Sequence, residues 1–158
     1  NISNNVCTLW CNFLLCEVSM SFKLSSKSLE RREGVDPRLI EIDDLAITLS
    51  LVDYGHPEFA GLRTAEDQKE LHDRGSSMCD GTIKKSHHQT GKALDFYAFV
   101  DGKASWDPAH LTMVATAYLQ AASTLGYSIE WGGLWLGRNP TTKDGIRYGW
   151  DMPHIELS

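Results

Sequence analysis

The sequence lacks any run of the roughly 18 to 20 consecutive apolar residues that a helix needs to cross a bilayer. It also lacks internal repeats and low-complexity segments. The 15 Lys and Arg residues are outnumbered by 21 Asp and Glu residues, and the net charge is -6. A general nucleic-acid binder would be expected to show a basic face. We therefore predict neither stable membrane insertion nor a nucleic-acid partner.

Cysteine is scarce over most of the chain. Cys7, Cys11 and Cys16 lie near the start, and only Cys79 follows them. A domain with one cysteine cannot form an internal disulfide, which fits synthesis in the cytoplasm. The spacing of the first three cysteines would also permit metal binding, although a fourth partner is not evident.

The first residues form an apolar segment without an initiating Met, a basic region or a small-residue cleavage site. These omissions make it a poor signal peptide. Met20 and the residues after it resemble a natural start. We therefore predict that residues 1–19 are an upstream-translated or non-native extension. Residues 20–158 are predicted to form one domain, since a 42% hydrophobic fraction is enough to build a core.

Three helices are predicted from capping residues and the spacing of apolar side chains. Two of them begin at an Asp-Pro pair, in which Asp is the N-cap and Pro is the first residue of the helix. The third opens on a Thr-x-x-Asp capping box. The predicted helices run over residues 37–53, 64–74 and 108–124.

Four strands are predicted, over residues 59–63, 93–100, 127–131 and 154–157. Residues 93–100 are apolar on both faces, which is typical of a central strand. The polar and charged residues 20–34 are predicted to be a surface lead-in to the first helix, and Asp101-Gly102-Lys103 is predicted to be a turn. The order of elements indicates an α+β domain with a small, mainly antiparallel sheet packed with helices.

His88, Asp95 and His154 are a candidate ligand set for a catalytic zinc ion, which uses three protein ligands and keeps a fourth position open. Asp95 lies in an apolar strand, where a carboxylate is costly unless it is paired or bound to a cation. A buried salt bridge to an Arg is the alternative for Asp95. Gly91 would let the backbone turn so that His88 and Asp95 converge. His154 alone would more often be a structural residue.

Residues close in sequence to these candidate ligands could transfer protons, bind substrate or orient a ligand histidine. Asp151, three residues before His154, could take a proton from the zinc-bound water. Ser86 could bind backbone or substrate, and His87 is either a substrate-side group or solvent-exposed. Glu156 could hold the tautomer of a ligand histidine or be an exposed strand acid.

Further candidates come from the helix over 64–74 and from three tryptophans. Gln68 either contacts substrate or lies on a solvated helix face. Trp131, Trp135 and Trp150 could line a cleft, although ordinary packing is expected for Trp131. Spacing alone would make Arg63 a surface residue that flanks the helix.

The pattern Ser86-x-His88-x-x-Gly91-x-Ala93-x-Asp95, followed by Asp151-x-x-His154-x-Glu156, resembles the signature of zinc peptidases related to the VanY D-Ala-D-Ala carboxypeptidases. Within them the chain is most similar to the L-alanyl-D-glutamate endopeptidases found as phage endolysins. The resemblance covers residues 20–158 and includes the segments 20–23, 61–64 and 154–157.

The resemblance implies roles for individual residues. His88, Asp95 and His154 would bind zinc, Asp151 would be the general base, and Arg63 would stabilise the oxyanion or orient the substrate carbonyl. It also implies the small α+β fold shared with the Hedgehog signalling domain. The substrate would be the peptide stem of bacterial peptidoglycan, cut at the L-Ala–D-Glu bond.

Two other functions fit the same scaffold. A D-Ala-D-Ala carboxypeptidase would need an extra cation for the terminal carboxylate, and Arg138, Lys143 and Arg147 are available in a late loop. The second alternative function is a non-catalytic zinc-binding domain. The candidate base Asp151 argues against this alternative. We expect a monomer that stays in the cytoplasm of the bacterial host until it is released to the cell wall.

Overall fold

The computed structural model describes residues 21–135 and 149–158 of the chain. The extension predicted over residues 1–19 lies outside them and stays a prediction. Six candidate residues named above also lie outside the described ranges: Cys7, Cys11, Cys16, Arg138, Lys143 and Arg147. Among the described helices, none combines the length and the apolar character that crossing a bilayer requires.

The described residues form four α-helices and six short strands. The helices are α1 (Ser26–Arg31), α2 (Pro37–Leu49), α3 (Ala65–Asp73) and α4 (Pro108–Leu125). The strands are β1 (Asp53–Gly55), β2 (Ala93–Asp95), β3 (Tyr97–Val100), β4 (Lys103–Ser105), β5 (Ile129–Trp131) and β6 (His154–Leu157). All pairings are antiparallel, in two three-stranded sheets ordered β1-β3-β4 and β2-β6-β5. The α+β prediction is confirmed, with two small sheets where one was expected.

The predicted capping residues begin the three longer helices. Asp36 and Asp107 each accept a hydrogen bond from the second backbone N–H of α2 and α4. Thr64 and Asp67 complete a capping box at the start of α3. Gly126, in the left-handed region with φ of 76°, ends α4. Local side-chain chemistry therefore sets these helix ends.

The predicted end of the first helix is wrong because a tertiary contact overrides the local pattern. The helix predicted over 37–53 ends at Leu49, since Asp53 starts β1 and pairs with Phe99 of β3. The segment expected to be a surface lead-in contains a short helix that the sequence did not predict, α1, whose N-cap is Ser25. Apolar spacing alone cannot distinguish the end of a helix from the strand that follows it.

The strand predicted over 93–100 is divided between the two sheets. Phe96 separates β2 from β3, is fully buried, and donates its backbone N–H to the carbonyl oxygen of Pro153 at 2.9 Å. The turn after β3 contains only Asp101 and Gly102, both with positive φ, so Lys103 already belongs to β4. A two-residue hairpin turn favours this backbone conformation.

The strand predicted over 59–63 is absent, because this segment bonds to the candidate site instead of a sheet. The carbonyl oxygen of Ala60 accepts the backbone N–H of Asp95 at 2.9 Å. The backbone N–H of Arg63 donates to the carbonyl oxygen of His88 at 3.1 Å. The irregular segment therefore connects the start of α3 to two candidate ligands.

The hydrophobic core lies where α2 packs against α4 and α4 covers β3 and β5. The ring of Tyr118 stacks on that of Phe96 with centroids 5.4 Å apart, and Tyr54 lies 5.5 Å from Tyr118. These aromatic rings fill the space between the long helices and the sheets, and they surround one buried acid.

That acid, Asp43 of α2, is fully buried and hydrogen-bonded on both oxygens. Oδ1 accepts the hydroxyls of Tyr54 at 2.9 Å and Tyr118 at 2.5 Å. Oδ2 lies 2.7 Å from Nη1 of Arg32 and 3.1 Å from Nε2 of His56. Burial opposes the charge, but His56, the Tyr118 hydroxyl and Arg32 hold the pKa of Asp43 below its usual value.

Replacing Asp43 with Asn is expected to lower the free energy of unfolding by about 3 kcal/mol, because it leaves buried donors without their anion. Asp44→Asn is the matched control, since Asp44 also pairs with Arg32, at 2.7 Å, but its side chain is 58% exposed. An exposed pair contributes about 1 kcal/mol or less. Denaturant unfolding measures both variants, and equal losses would contradict a structural role for the buried acid.

Candidate metal and catalytic site

The pairing of β2 with β6 brings the two halves of the candidate ligand set together. Asp95, the last residue of β2, lies directly opposite His154, the first residue of β6. Directly opposed residues of an antiparallel pair hold their side chains close enough to interact on one face. The register therefore places a carboxylate next to an imidazole.

His88 reaches the same place from a short 3-10 helix over His87–Thr90. Ser86 caps this helix, and Gly91 ends it with φ of 68°. A Cβ on Gly91 would lie 2.5 Å from the carbonyl oxygen of Gly34, so the close approach as well as the backbone angle requires glycine. The chain then turns directly into β2, as expected from the sequence.

The three ligand atoms form a compact triangle. Nδ1 of His154 lies 3.0 Å from Oδ1 of Asp95, and Nε2 of His88 lies 3.2 Å from each of these two atoms. The side chains of His88, Asp95 and His154 are 2%, 18% and 8% exposed. Within residues 21–135 and 149–158, this is the one group of three such side chains arranged to hold a metal ion.

Hydrogen bonds on the outer side of each imidazole orient the ring. Nδ1 of His88 donates to the carbonyl oxygen of Gly61 at 2.9 Å, and Nε2 of His154 donates to Glu156 at 2.9 Å. The inner nitrogens then face each other, and two lone pairs at 3.2 Å repel unless a cation or proton lies between them. Such outer partners are typical of metal-ligating histidines.

Arg63 holds the second oxygen of Asp95. Its Nη2 donates to Oδ2, its Nε donates to the carbonyl oxygen of Phe59 at 2.6 Å, and its Nη1 lies 3.4 Å from Oε1 of Gln68. The Arg63 side chain is 9% exposed and is therefore not a free surface residue. The buried salt bridge that was the alternative for Asp95 thus exists alongside the ligand geometry.

The protonation of the triangle follows from its surroundings. Burial lowers the pKa of His88. Burial opposes the charge of Asp95, but the two imidazoles outweigh it and hold the pKa of Asp95 well below its usual range. Burial alone would also lower the pKa of His154, yet hydrogen bonds to Asp95 and Glu156 raise it to about 10. Without a metal, the site therefore keeps one proton, on His154.

Asp151 lies beside this triangle, just before β6. Burial and repulsion from Asp95 raise the pKa of Asp151 to about 6. A Cβ added to Gly132 would lie 2.9 Å from Cβ of Asp151 and 2.3 Å from its carbonyl oxygen. The absence of a side chain on Gly132 therefore allows the segment after β5 to support Asp151 closely.

A cleft of about 550 Å³ opens onto the triangle, and Arg63 and Asp151 also line it. One wall comes from residues 75–79 and 84–86, within the loop that joins α3 to the 3-10 helix. Trp135 and Trp150 line another part, with ring centroids 5.6 Å apart. The cleft is large enough for several residues of a peptide, and it brings the Asp151 carboxylate and the Arg63 guanidinium next to the candidate ligand set.

The other candidate residues are placed around the ligands. His87 is half exposed, and its Nδ1 lies 3.1 Å from Oε2 of Glu156, which it shares with His154. Ser86 lines the cleft and its hydroxyl accepts the backbone N–H of His88 at 3.4 Å. The ring of Trp135 lies 5.3 Å from that of His154.

Trp131 has the packing role expected from the sequence. It is buried, and its indole N–H donates to the carbonyl oxygen of Met152 at 2.7 Å. Gln68 differs from expectation, because it is fully buried and not on a solvated helix face. Its amide oxygen lies 3.4 Å from Nη1 of Arg63, and its amide nitrogen donates hydrogen bonds to the loop after α3.

One residue at the site had no signal in the sequence. His56 lies between Gly55 and Pro57, in a segment whose pattern indicates no functional site. In the structure its Nδ1 lies 2.8 Å from the carbonyl oxygen of Asp95, and its Nε2 contacts Asp43. His56 therefore connects the buried acid of the core to the backbone of a ligand, a role that depends on tertiary contacts alone.

Three comparisons with known proteins agree on the same kind of peptidase. Residues 20–158 match the family model described as phage L-alanyl-D-glutamate peptidase. The L-alanyl-D-glutamate peptidase of Escherichia phage T5 is 30% identical over 139 residues, 87% of this chain and 99% of that protein. The crystal structure of the Serratia marcescens L-Ala D-Glu endopeptidase ChiX is 33% identical, with a TM-score of 0.67 over 90% of this chain and 94% of the other.

Metal binding is expected to release one proton, because His154 must lose its proton to become a ligand. The apparent affinity for Zn²⁺ or Co²⁺ should then rise about tenfold per pH unit between about pH 6 and 7, where metal-bound water still keeps its proton. Calorimetric titration in buffers of different ionisation enthalpy counts the released protons. Binding without proton release, at an affinity that does not change with pH, would contradict the assigned protonation.

Proposed function

The chain belongs to the family of phage L-alanyl-D-glutamate peptidases, and we propose that it is a zinc endolysin. The reaction is hydrolysis of the L-Ala–D-Glu bond in the stem peptides of bacterial peptidoglycan. The observation that carries this proposal is the convergence of His88, Asp95 and His154 in a cleft that also contains Asp151. A metal site, a base and room for a peptide are the parts that a metallopeptidase requires.

The triangle suits zinc in size and in chemistry. Tetrahedral zinc with bonds of about 2.0 Å separates its ligand atoms by about 3.3 Å. The three separations here are 3.0, 3.2 and 3.2 Å, between two imidazole nitrogens and one carboxylate oxygen. Zinc held by these residues would polarise the scissile carbonyl and lower the pKa of water toward about 7.

Asp151 is the group we assign to proton transfer. In the metal-free site its pKa is raised to about 6, which makes its carboxylate a stronger proton acceptor than an exposed aspartate. It would accept the proton of the attacking water and then pass that proton to the amine that leaves. Burial beside Asp95 therefore prepares Asp151 for both steps.

Arg63 is the group we assign to the developing negative charge on the carbonyl oxygen. A guanidinium has five N–H donors, and Arg63 directs three of its hydrogen bonds to Phe59, Gln68 and Asp95. The remaining donors are available to the substrate, on a side chain already held in position. Stabilisation by a fixed donor requires little reorganisation during the reaction.

We also propose that the enzyme remains in the host cytoplasm until it is released to the wall. The one cysteine among the described residues, Cys79, is a free thiol, which suits a reducing compartment. Fractionation of intact producing cells should then recover the protein with the cytosol. Recovery from the periplasm or medium before lysis would contradict this location.

The bond that is cut can be identified from product masses. Incubation with purified peptidoglycan should release fragments that begin with D-Glu, and a zinc chelator should stop their release. Restoring zinc should restore cleavage. Loss of a terminal D-Ala instead would show a carboxypeptidase, and full cleavage after zinc removal would contradict a zinc enzyme.

Replacing Asp151 with Asn is expected to lower kcat by about 10² to 10⁴, because the proton acceptor is lost. Zinc content should stay at the level of the unchanged enzyme, since Asp151 is not part of the ligand triangle. Asp73→Asn on the exposed face of α3 serves as the control. An Asp151→Asn enzyme with full zinc content and unchanged kcat would refute the assignment.

A further inference from the structure

The loop over residues 75–86 forms a wall of the cleft whose chemistry the proposed reaction does not yet use. It carries Lys84 and Lys85, and both side chains line the cleft beside Ser86 and His87. Both lysines are exposed at the rim. The wall leads directly into the 3-10 helix that carries His88, so the lysines lie on the side of the site formed by that ligand.

Hydrogen bonds from the buried Gln68 side chain hold this wall in place. The amide nitrogen of Gln68 donates to Oγ of Ser77 at 2.7 Å and to the carbonyl oxygen of Cys79 at 3.0 Å. Its amide oxygen faces Arg63, which in turn bonds Asp95. The position of the wall is therefore tied to the metal ligands through one buried side chain.

A second set of bonds fixes the segment just before the lysines. Oδ1 of Asp80 accepts the backbone N–H groups of residues 82, 83 and 84 at 2.8, 2.8 and 3.1 Å. The side-chain amide of Gln89 donates to the carbonyl oxygen of Gly81 at 2.8 Å. The backbone that carries Lys84 is thus anchored at both ends of a tight turn.

Within residues 21–135 and 149–158, the other charges along the cleft are mostly balanced. Arg63 pairs with Asp95, and Glu156 pairs with His154 and His87. Among the described residues, Lys84 and Lys85 have no acidic partner within salt-bridge distance. The remaining lining acid outside the catalytic group is Glu58, which lies on a different segment, ahead of the irregular residues 59–63. Of the cleft walls that the described residues form, the 75–86 wall is therefore the cationic one.

The tryptophan side of the cleft has a different character. Trp135 packs against His154 and Trp150, and its indole N–H lies 3.3 Å from Glu130. This wall offers aromatic surface, whereas the 75–86 wall offers two cations. A substrate with one uncharged and one anionic end would therefore bind in a single direction.

The peptide stem that we propose as the substrate has one uncharged and one anionic side about the bond that is cut. Glutamate has two carboxyl groups and only one of them continues the chain, so the D-Glu residue keeps a free carboxylate unless it is amidated. That carboxylate belongs to the residue whose nitrogen leaves, while the alanine side is uncharged. A cation beside this carboxylate would both attract the peptide and set its direction.

Resting on the proposed function, we propose that Lys84 and Lys85 form the subsite for the free carboxylate of the D-Glu residue. The subsite would distinguish D-Glu from its amidated form, D-isoglutamine. It would also place the leaving side of the peptide along the 75–86 wall and the alanine side toward Trp135 and Trp150.

The test compares two synthetic peptides, N-acetyl-L-Ala-γ-D-Glu-L-Lys and the same peptide with the D-Glu α-carboxylate amidated. The zinc-loaded enzyme should cleave the free acid with a kcat/KM about tenfold higher, the size expected for one hydrogen bond to a charged group. The Lys84→Gln/Lys85→Gln enzyme should lose most of this preference, mainly through a higher KM for the free acid.

Lys103→Gln is the matched control, because Lys103 is an exposed lysine on β4 and does not line the cleft. It should keep the preference of the unchanged enzyme. Equal cleavage of both peptides by the unchanged enzyme, or an equal loss on both in the double variant, would overturn the subsite alone. Cleavage of neither peptide by zinc-loaded enzyme would overturn the proposed function, and the subsite with it.

Discussion

The Asp95 carboxylate is the buried charge around which the site is arranged. One oxygen faces His88 and His154, and the other bonds Arg63. A carboxylate at this depth must be matched by cations or donors on both oxygens, because an unpaired one would cost several kcal/mol. Asp95 holds Arg63 in place, and Arg63 contacts the amide oxygen of Gln68. The amide nitrogen of Gln68 bonds the loop after α3, so the position of the cleft wall also depends on Asp95.

The backbone of Asp95 is constrained as firmly as its side chain. Its N–H donates to Ala60, its carbonyl oxygen lies 2.8 Å from His56, and its strand register sets it opposite His154. His56 in turn contacts Asp43, whose other partners are core tyrosines and Arg32. The position of a candidate metal ligand is thus coupled to the stability of the core. Preorganisation of this kind is what a catalytic metal site requires of its scaffold.

The sequence predicted what depends on local chemistry and missed what depends on pairing. The Asp-Pro starts and the Thr64 capping box placed the helices, and the costly acid Asp95 indicated a site. The division of residues 93–100 between two sheets could not be predicted, because both halves are equally apolar. The burial of Gln68 was also missed, since a polar residue on a polar helix shows no sign that a loop will cover it.

The central claim is that His88, Asp95 and His154 together bind a catalytic zinc ion, and crystallography at the zinc absorption edge tests it most directly. Anomalous difference maps above and below the edge would locate zinc in crystals of the enzyme. The account predicts one full-occupancy peak about 2.0 to 2.2 Å from the two imidazole nitrogens and the Asp95 oxygen, with a fourth position open to solvent. A structure with zinc held elsewhere, or with these three side chains apart, would contradict it.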